Sequence, residues 1–557
     1  MMGLRTEHLH IQMEKILLLG DEAIAQGALD AGLSGVYAYP GTPSTEITEF
    51  IQNQQKKENT NIHCAWSANE KTAMEAAMGM AFAGKRALVC MKHVGVNVAA
   101  DPLMNAAISG VVGGLVFVAA DDPSMHSSQN EQDSRYYANF ALLPLLEPAD
   151  QQEAYDMVRR GYDLSEQVGF PVMLRITTRL AHSRAGVARQ EVRPQNEIHF
   201  SADPKQFVLL PANARPRYRV LLQAQEQMEQ ASETMGFNRY EAAAKAPAAG
   251  KYEKGVVACG IAYNYLMENF PEGCPFPVVK IGQYPLPKQM LRRLAAESET
   301  LVVLEEGYPF VESQLKSLLD ESDRIQGRLS GWLPRDGELN PDVVARAFGL
   351  TVTEAYAKPQ VVMPRPPSLC QGCGHRDMYE ALTEVVRSIG DDAKVFGDIG
   401  CYTLGYLPPF RALNSTLDMG ASITMAKGAA DAGVKYPVAV IGDSTFTHSG
   451  MTSLLDAVNA HAPITVIISD NETTGMTGGQ DSAGTGKIES ICLGLGVNPD
   501  HLKVLVPLKK NHEEMVRIIR EEMAYPGLSV IIPRRECIQT AARHKKAAAA
   551  AEKQQKN

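Results

Sequence analysis

The chain has 557 residues, 45% hydrophobic and 21% charged, ordinary globular usage that excludes a single small binding module and, for most of its length, intrinsic disorder. Its 54 Lys and Arg against 64 Asp and Glu give a formal charge of -10, the wrong sign for a nonspecific nucleic-acid binder. Three or four domains are expected at about 150 residues each, with small molecules and proteins as partners. Charges scattered through the first twenty residues argue against a signal peptide, and no apolar run approaches the roughly 20 residues of a membrane span. A cytoplasmic protein with no membrane or nucleic-acid partner is therefore expected. In a reducing compartment its nine cysteines are expected to serve as metal ligands or catalytic groups where they cluster.

From Lys15 onward, short apolar runs alternate with Ala-, Gly- and Met-rich helical text: KILLLG, DEAIAQGALDAG, GVYAYP, RALVCM, GGLVFVAA and FPVMLRI. This alternation predicts a parallel sheet with helices on both faces, a first domain over residues 1–190. Residues 191–250 read as a connecting arm that carries VRPQNEIHF, an extended PANARPRY and one long helix in the Glu-, Gln- and Met-rich stretch after them. Strands at GVVACG, FPVVKIG and TLVVLEEG, separated by helical text, define a second α/β unit over 251–357. The prolines of 358–367 forbid a helix interior and mark a linker. A third α/β unit, 368–540, has strands at KVFGDIG, PVAVIGDS, ITVIISDN and SVIIPRR. Residues 541–557 read as a basic, Ala-rich, frayed helical tail.

The third unit carries the densest chemistry. Gly442-Asp443-Ser444 closes one strand, a helix follows, and the next strand closes at Asp470-Asn471. Asp443 and Asn471 thus stand at the carboxyl ends of two strands joined by one crossover, where α/β sheets bind ligands. An Asp, an Asn amide oxygen and the main-chain carbonyl of Thr473 make an oxygen set suited to Mg²⁺ beside a diphosphate. For GDS alone, a plain strand-to-helix turn capped by Asp443 is the alternative. Cys370 and Cys373 open this unit in CQGCGH, and Cys401 follows in GDIGCYTLG. A C-x-x-C pair by itself fits redox chemistry or zinc. Cys64, Cys90, Cys259, Cys274 and Cys492 have no partner at ligand spacing and read as buried small apolar residues.

In the first unit, Tyr39-Pro40-Gly41-Thr42-Pro43-Ser44 joins a strand to a helix, where Thr42 or Ser44 would act as cap with Pro43 as first helical residue. Glu70 and Glu75 share one predicted helix, whose amino terminus favours an acid. The polar loop from Asp121 to Arg135 follows an apolar strand. In it His126 is a candidate proton shuttle and Arg135 a candidate bidentate carboxylate ligand, with a merely solvated loop as the alternative. His93 lies at a similar strand end.

These motifs resemble those of the thiamine-diphosphate-dependent 2-oxoacid:ferredoxin oxidoreductases. The resemblance covers nearly the whole chain and is greatest to the indolepyruvate:ferredoxin oxidoreductase α-subunit family. It rests on GDS with an Asn about thirty residues on, on YPGTPS, on PANAR at Pro211 to Arg215, on CQGCGHR at Cys370 to Arg376, and on MGASI at Met419 to Ile423. The resemblance implies an α/β chain of three doubly wound parallel-sheet units in the thiamine-diphosphate-binding fold. Residues 1–190 would be the pyrimidine-binding domain, 251–357 a transketolase C-terminal-like domain, and 368–540 the diphosphate-binding domain. Gly442, Asp443, Ser444, Asn471 and Thr473 would hold thiamine diphosphate, and Asp443, Asn471 and Thr473 its Mg²⁺. Glu70 would face the aminopyrimidine ring, and Thr42 would hydrogen-bond near the reacting carbon. Cys537, after the last strand, would join Cys370, Cys373 and Cys401 on a [4Fe–4S] cluster, which needs four thiolates.

The implied reaction is oxidative decarboxylation of an aryl-2-oxoacid, such as indolepyruvate or phenylpyruvate, with coenzyme A. It gives an acyl-CoA and CO₂, and ferredoxin takes the electrons. Implied partners are a smaller β (γ-type) subunit, ferredoxin, the 2-oxoacid and coenzyme A, in a homo- or hetero-oligomer. The alternatives are a non-oxidative thiamine-diphosphate-dependent decarboxylase and a catalytically silent electron-transfer or scaffold subunit. One departure stands out: many members carry a ferredoxin-like domain with two further cysteine motifs, and no cysteine follows Cys537 here. Electrons are then expected to leave to a separate protein.

Overall fold

A computed structural model describes residues 15–58, 60–247, 250–319, 322–352, 356–363 and 366–555. The opening stretch to residue 14, part of the proline linker (364–365) and the last two residues of the tail lie outside the described residues. The chain divides into two compact units, Met1–Tyr356 and Ala357–Asn557.

Among the described residues the first unit contains two large sheets and a two-stranded ribbon. In the larger, the strand order is Gln283–Tyr284, Leu145–Leu146, Val172–Thr177, Leu115–Asp121, Ala87–Lys92, Gly35–Ala38, His63–Trp66, all parallel except the first. Leu115–Asp121 and Ala87–Lys92 are buried along their whole length, as strands covered on both faces must be. From Gly35–Ala38 the chain goes out to the edge strand His63–Trp66, then returns to Ala87–Lys92 on the other side. That reversal is a topological switch point, and ligands bind outside the carboxyl ends of such strands. The second sheet has the order Ile325–Gln326, Ser298–Leu304, Tyr252–Cys259, Val278–Ile281, Arg239–Glu241, with only the last antiparallel.

Two expectations for this unit are corrected. KILLL is not part of the parallel sheet: Lys15–Leu19 pairs antiparallel with Arg184–Ala188 in a separate ribbon. Leu17 is 64% exposed there, so an apolar run that reads as a buried strand has only its Leu18 in the core. PANARPRY is not extended either. Pro211 opens the helix Pro211–Thr234, where its missing N–H removes no intrahelical bond, and Pro216 is carried inside.

The second unit is built on a five-stranded, wholly parallel sheet in the order Ala393–Gly397, Tyr436–Gly442, Thr465–Ser469, Ser529–Pro533, Leu502–Leu505. Alternate residues feed two separate cores: Val438 and Val440 join one, Ala439 and Ile441 the other. This is the period-2 signature of a sheet with helices on both faces, and each buried Val or Ile contributes about 1.5–3 kcal/mol. Because every strand points the same way, the loops after four of them open at one edge.

Candidate active site

That edge in the second unit holds most of the residues singled out by motif. Gly442 ends its strand and Asp443 starts a helix that widens into a π-helical turn at Phe446–Gly450 before continuing as Met451–Asn459. Asp443 is buried, and among the described residues its Oδ2 has no hydrogen-bond partner. Burial, with Asp470 nearby, pushes its carboxyl up to about 7 against hydrogen bonds from Ser482 and the Ser444 and Asn471 backbone. A buried acid with an unsatisfied oxygen is what a bound cation relieves, so the residues present fit Mg²⁺. Asn471 Oδ1 accepts from the Thr473 amide at 3.2 Å, and Thr473 opens the short hairpin Thr473–Thr474 with Gln480–Asp481. Ser444 Oγ lies 2.9 Å from Thr474 Oγ1, tying the two loops together.

The four cysteines come from three loops at the same edge. Cys373 caps the helix Gly374–Ile389, Cys401 follows the first strand, and Cys537 precedes the helix Ile538–Gln555. The Cys537 amide donates to the Asn471 carbonyl at 3.0 Å, so the last cysteine hangs on the loop that carries Asn471. A Cβ added at Gly475 would lie 3.0 Å from Cys401 Sγ and 3.9 Å from Asn471 Nδ2. Gln539 Nε2 is 3.9 Å from Cys370 Sγ, and His375 Nδ1 is 3.5 Å from Cys373 Sγ. Burial pushes the Cys401 thiol up to about 12, with the other three cysteines adding repulsion. Bound iron would reverse that penalty. Among the described residues no three cysteine sulfurs fall within 4.8 Å of one another. Burial drives His375 down to about 4, so the ring beside the Cys370–Cys373 loop is neutral.

In the first unit the switch point holds the other candidates. The loop from Tyr39 to Ser44 leaves one central strand and Lys92-His93 ends its neighbour, and a Cβ added at Gly41 would sit 3.1 Å from Lys92 Cβ. Ser44 Oγ and its amide both donate to the Gly41 carbonyl at 2.8 Å, while the Gly41 amide donates to Thr45 Oγ1 at 3.0 Å. The helix begins at Thr45, so Pro43 is not its first residue, and the expected capping arrangement is corrected. Thr42 is half-buried and precedes a cis proline. Glu70 is buried at the start of the helix Glu70–Phe82, capped by Asn69, and its carboxyl group packs on Gly95 so closely that a Cβ there would lie 2.6 Å from Oε1. Glu75 on the same helix is exposed and paired with Lys71. Of these two, only Glu70 has the buried setting that a cofactor-facing carboxylate requires.

Known proteins bear on both units. The family described as pyruvate flavodoxin/ferredoxin oxidoreductase, thiamine diP-bdg, matches residues 26–246, and the thiamine pyrophosphate enzyme, C-terminal TPP binding domain, matches 398–532. Indolepyruvate oxidoreductase subunit IorA of Archaeoglobus fulgidus is 39% identical over 555 residues, covering 94% of this chain and 86% of its own. The chain belongs to the IorA family. The subunit IorA of Methanothermobacter thermautotrophicus is 36% identical over 94% of this chain and 87% of its own. The 2-oxoglutarate synthase subunit KorA of the same organism is 25% identical over 35% of this chain and 53% of its own.

Membership in the IorA family, with its thiamine-diphosphate-binding domains, fits the fold of both units. The loop residues are distributed less simply. His93 is buried, and burial lowers its pKa. His126 is half exposed and lies 3.2 Å from Glu338 Oε2, which Arg179 also binds. Arg135 is corrected as a substrate-carboxylate ligand. It is buried, and internal groups occupy its guanidinium: Asp133 at 2.5 Å, Glu305 at 2.9 Å, and the carbonyls of Glu306 and Tyr308. Arg175 is held likewise by Asp121 and Glu147.

Two residues of this IorA-family chain escaped motif reading. Lys92, at the switch point, donates to the Ser127 carbonyl at 2.7 Å, and burial brings it down to about 8. Asp398 is buried at the end of the first strand of its sheet, pushed up to about 7 by burial, and accepts from Tyr402 and, at 2.7 Å, Ser422. GDIGC offered only a strand-end aspartate as a signal. Among the described residues, no helix is long and apolar enough to cross a membrane.

Proposed function

We propose that this chain is the catalytic subunit for oxidative decarboxylation of an aryl-2-oxoacid of the indolepyruvate or phenylpyruvate type. Coenzyme A receives the acyl group, CO₂ leaves, and a ferredoxin takes two electrons in single steps. The observation that carries the reading is the common edge of one parallel sheet, where buried Asp443, Asn471 and four cysteines come together. The names of the indolepyruvate oxidoreductase relatives support the substrate class.

Thiamine diphosphate, when bound, supplies an electron sink for loss of CO₂ from a 2-oxoacid. Asp443, Asn471 and the Thr473 carbonyl would hold the Mg²⁺ that neutralises its diphosphate, with Gly442 and Ser444 beside the phosphates. Glu70 would hold the proton at the aminopyrimidine, a task suited to a buried carboxyl group at a helix start. Thr42 would donate its hydroxyl to the substrate from a loop braced by Ser44 and Thr45. His93, neutral because buried, and Lys92 close the same strand end and would exclude water there. A [4Fe–4S] cluster on Cys370, Cys373, Cys401 and Cys537 would carry electrons one at a time. A smaller β subunit and ferredoxin are the partners of this reading. A dimer or larger assembly follows if the pyrimidine-type and diphosphate-type domains of one site come from different copies.

The test is an anaerobic panel of 2-oxoacids with coenzyme A and a viologen dye, using the chain with its smaller subunit. Dye reduction with aryl substrates is the expected outcome. Activity on pyruvate alone would refute the substrate class, and aldehyde release without dye reduction would refute the oxidative reaction.

A further inference from the structure

Three side chains of the first unit that the proposed reaction does not use converge on one point. Asp21 is the second residue of the helix Gly20–Asp30, Glu46 the second of Thr45–Glu58, and His182 the last of Thr178–His182. One ligand atom from each lies within 4.8 Å of the other two, and His182 Nε2 is 3.6 Å from Glu46 Oε1. Asp21 has no exposed surface, and among the described residues no donor group other than the facing Glu46 carboxyl reaches its carboxylate oxygens, nor does any amide, hydroxyl or cation reach the buried Glu46 Oε2. A buried carboxylate normally accepts hydrogen bonds or pairs with a cation, because leaving it bare costs several kcal/mol. Here the bare Asp21 faces a second acid and one imidazole.

We propose that Asp21, Glu46 and His182 form a binding site for one divalent transition-metal ion of the Zn²⁺ or Mn²⁺ class. The donor set is one imidazole nitrogen and two carboxylates, which suits these ions, whereas Ca²⁺ and Mg²⁺ prefer all-oxygen sets. Glu46 and His182 are each about a third exposed, so an ion enters from the surface and meets Asp21 at the floor of the site. Two helix amino termini favour the ionised carboxylates and keep them available as ligands. Burial and the neighbouring Glu46 and Glu22 raise the Asp21 pKa, a penalty that a bound cation would remove. The ion would pin two helix starts together. One of these, at Thr45, anchors the Tyr39 to Ser44 loop, since the Gly41 amide donates to Thr45 Oγ1 one residue before Glu46. The site is therefore a structural brace for that loop, distinct from the Mg²⁺ ligands at Asp443 and Asn471.

The test is a Mn²⁺ titration of the full chain followed by electron paramagnetic resonance, with thiamine diphosphate and excess Mg²⁺ present to occupy the diphosphate site. Mn²⁺ has little affinity for thiols, so the cysteines do not interfere. The wild type should bind one equivalent, and pulsed spectra should show coupling to a histidine nitrogen. His182→Ala, a change at a partly exposed residue, should lose that coupling and at least tenfold in affinity, and Asp21→Asn should lose a similar amount. Equal Mn²⁺ binding by wild type and both variants would overturn the site. So would a wild type that binds no Mn²⁺ while Asp21→Asn unfolds later than it, the behaviour of an acid pair sharing a proton.

Discussion

The two units use the same parallel-sheet architecture and treat charge in opposite ways. In the second unit, polar groups left over by the fold gather at the carboxyl edge of one sheet, and Asp443 keeps an oxygen with no protein partner. In the first unit, Asp21 apart, the large buried charges are matched internally: Arg135 and Arg175 are held by Asp121, Asp133, Glu147 and Glu305, all nearly or fully buried. A charge left unmatched in a packed interior marks a place for a ligand, and a charge that is fully matched marks structure. By that criterion Asp443 is the candidate for a ligand and Arg135 is a buttress, though the two looked alike as letters.

The comparison breaks most sharply at Glu70, the catalytic group proposed for the first unit. Glu70→Gln should lower turnover of the 2-oxoacid by about 10²–10⁴-fold, while thiamine diphosphate still quenches the intrinsic fluorescence with little change in affinity. A Glu75→Gln variant should turn over normally, and the reverse pattern would exchange their roles. Next in size is Arg135→Met, which should destabilise the chain to urea by about 3–5 kcal/mol, since it leaves several buried carboxylates unpaired. At temperatures where the variant stays folded, its KM for the 2-oxoacid should match the wild type; a raised KM with unchanged stability would return Arg135 to the substrate.

The smallest effect concerns Glu306, a buried acid of the first unit whose carboxyl is pushed up to about 7 by burial, against hydrogen bonds from the Leu339 amide. Its folded-state pKa lies above the unfolded value, so the folded form holds the extra proton and stability is lost as pH rises from about 4.5 to 7. Glu306→Gln cannot lose that proton. Relative to wild type it should therefore gain about 1–3 kcal/mol across this window, with the difference flat above about pH 8. A difference that does not vary with pH would show that Glu306 is ionised throughout.

Motif spacing made the second unit nearly readable in advance, because strand–turn–helix text fixes where Asp443 and Asn471 point and a cysteine cannot hide in a composition average. Its edge strand Leu502–Leu505 escaped notice because LKVL is short and half exposed. The first unit was harder for a physical reason. KILLL and PANARPRY are local patterns overridden by pairing and by helix-start geometry, and the partners of Arg135 lie up to 173 residues away, a distance no local window spans. Lys92 shows the same blindness: its letter sits in an apolar strand, and only the fold brings Gly41 against it.

The central claim is that one sheet edge of the second unit holds both the diphosphate ligands and a four-thiolate cluster, joined through the hydrogen bond from the Cys537 amide to the Asn471 carbonyl. The most direct measurement is iron, acid-labile sulfide and the electron paramagnetic resonance spectrum of the anaerobically purified chain beside its Cys537→Ala variant. The account predicts about four irons per wild-type chain and a reduced [4Fe–4S] signal that the variant loses or converts, with thiamine diphosphate binding retained because alanine keeps the amide. Iron-free wild type, or an unchanged cluster signal in the variant, would contradict it.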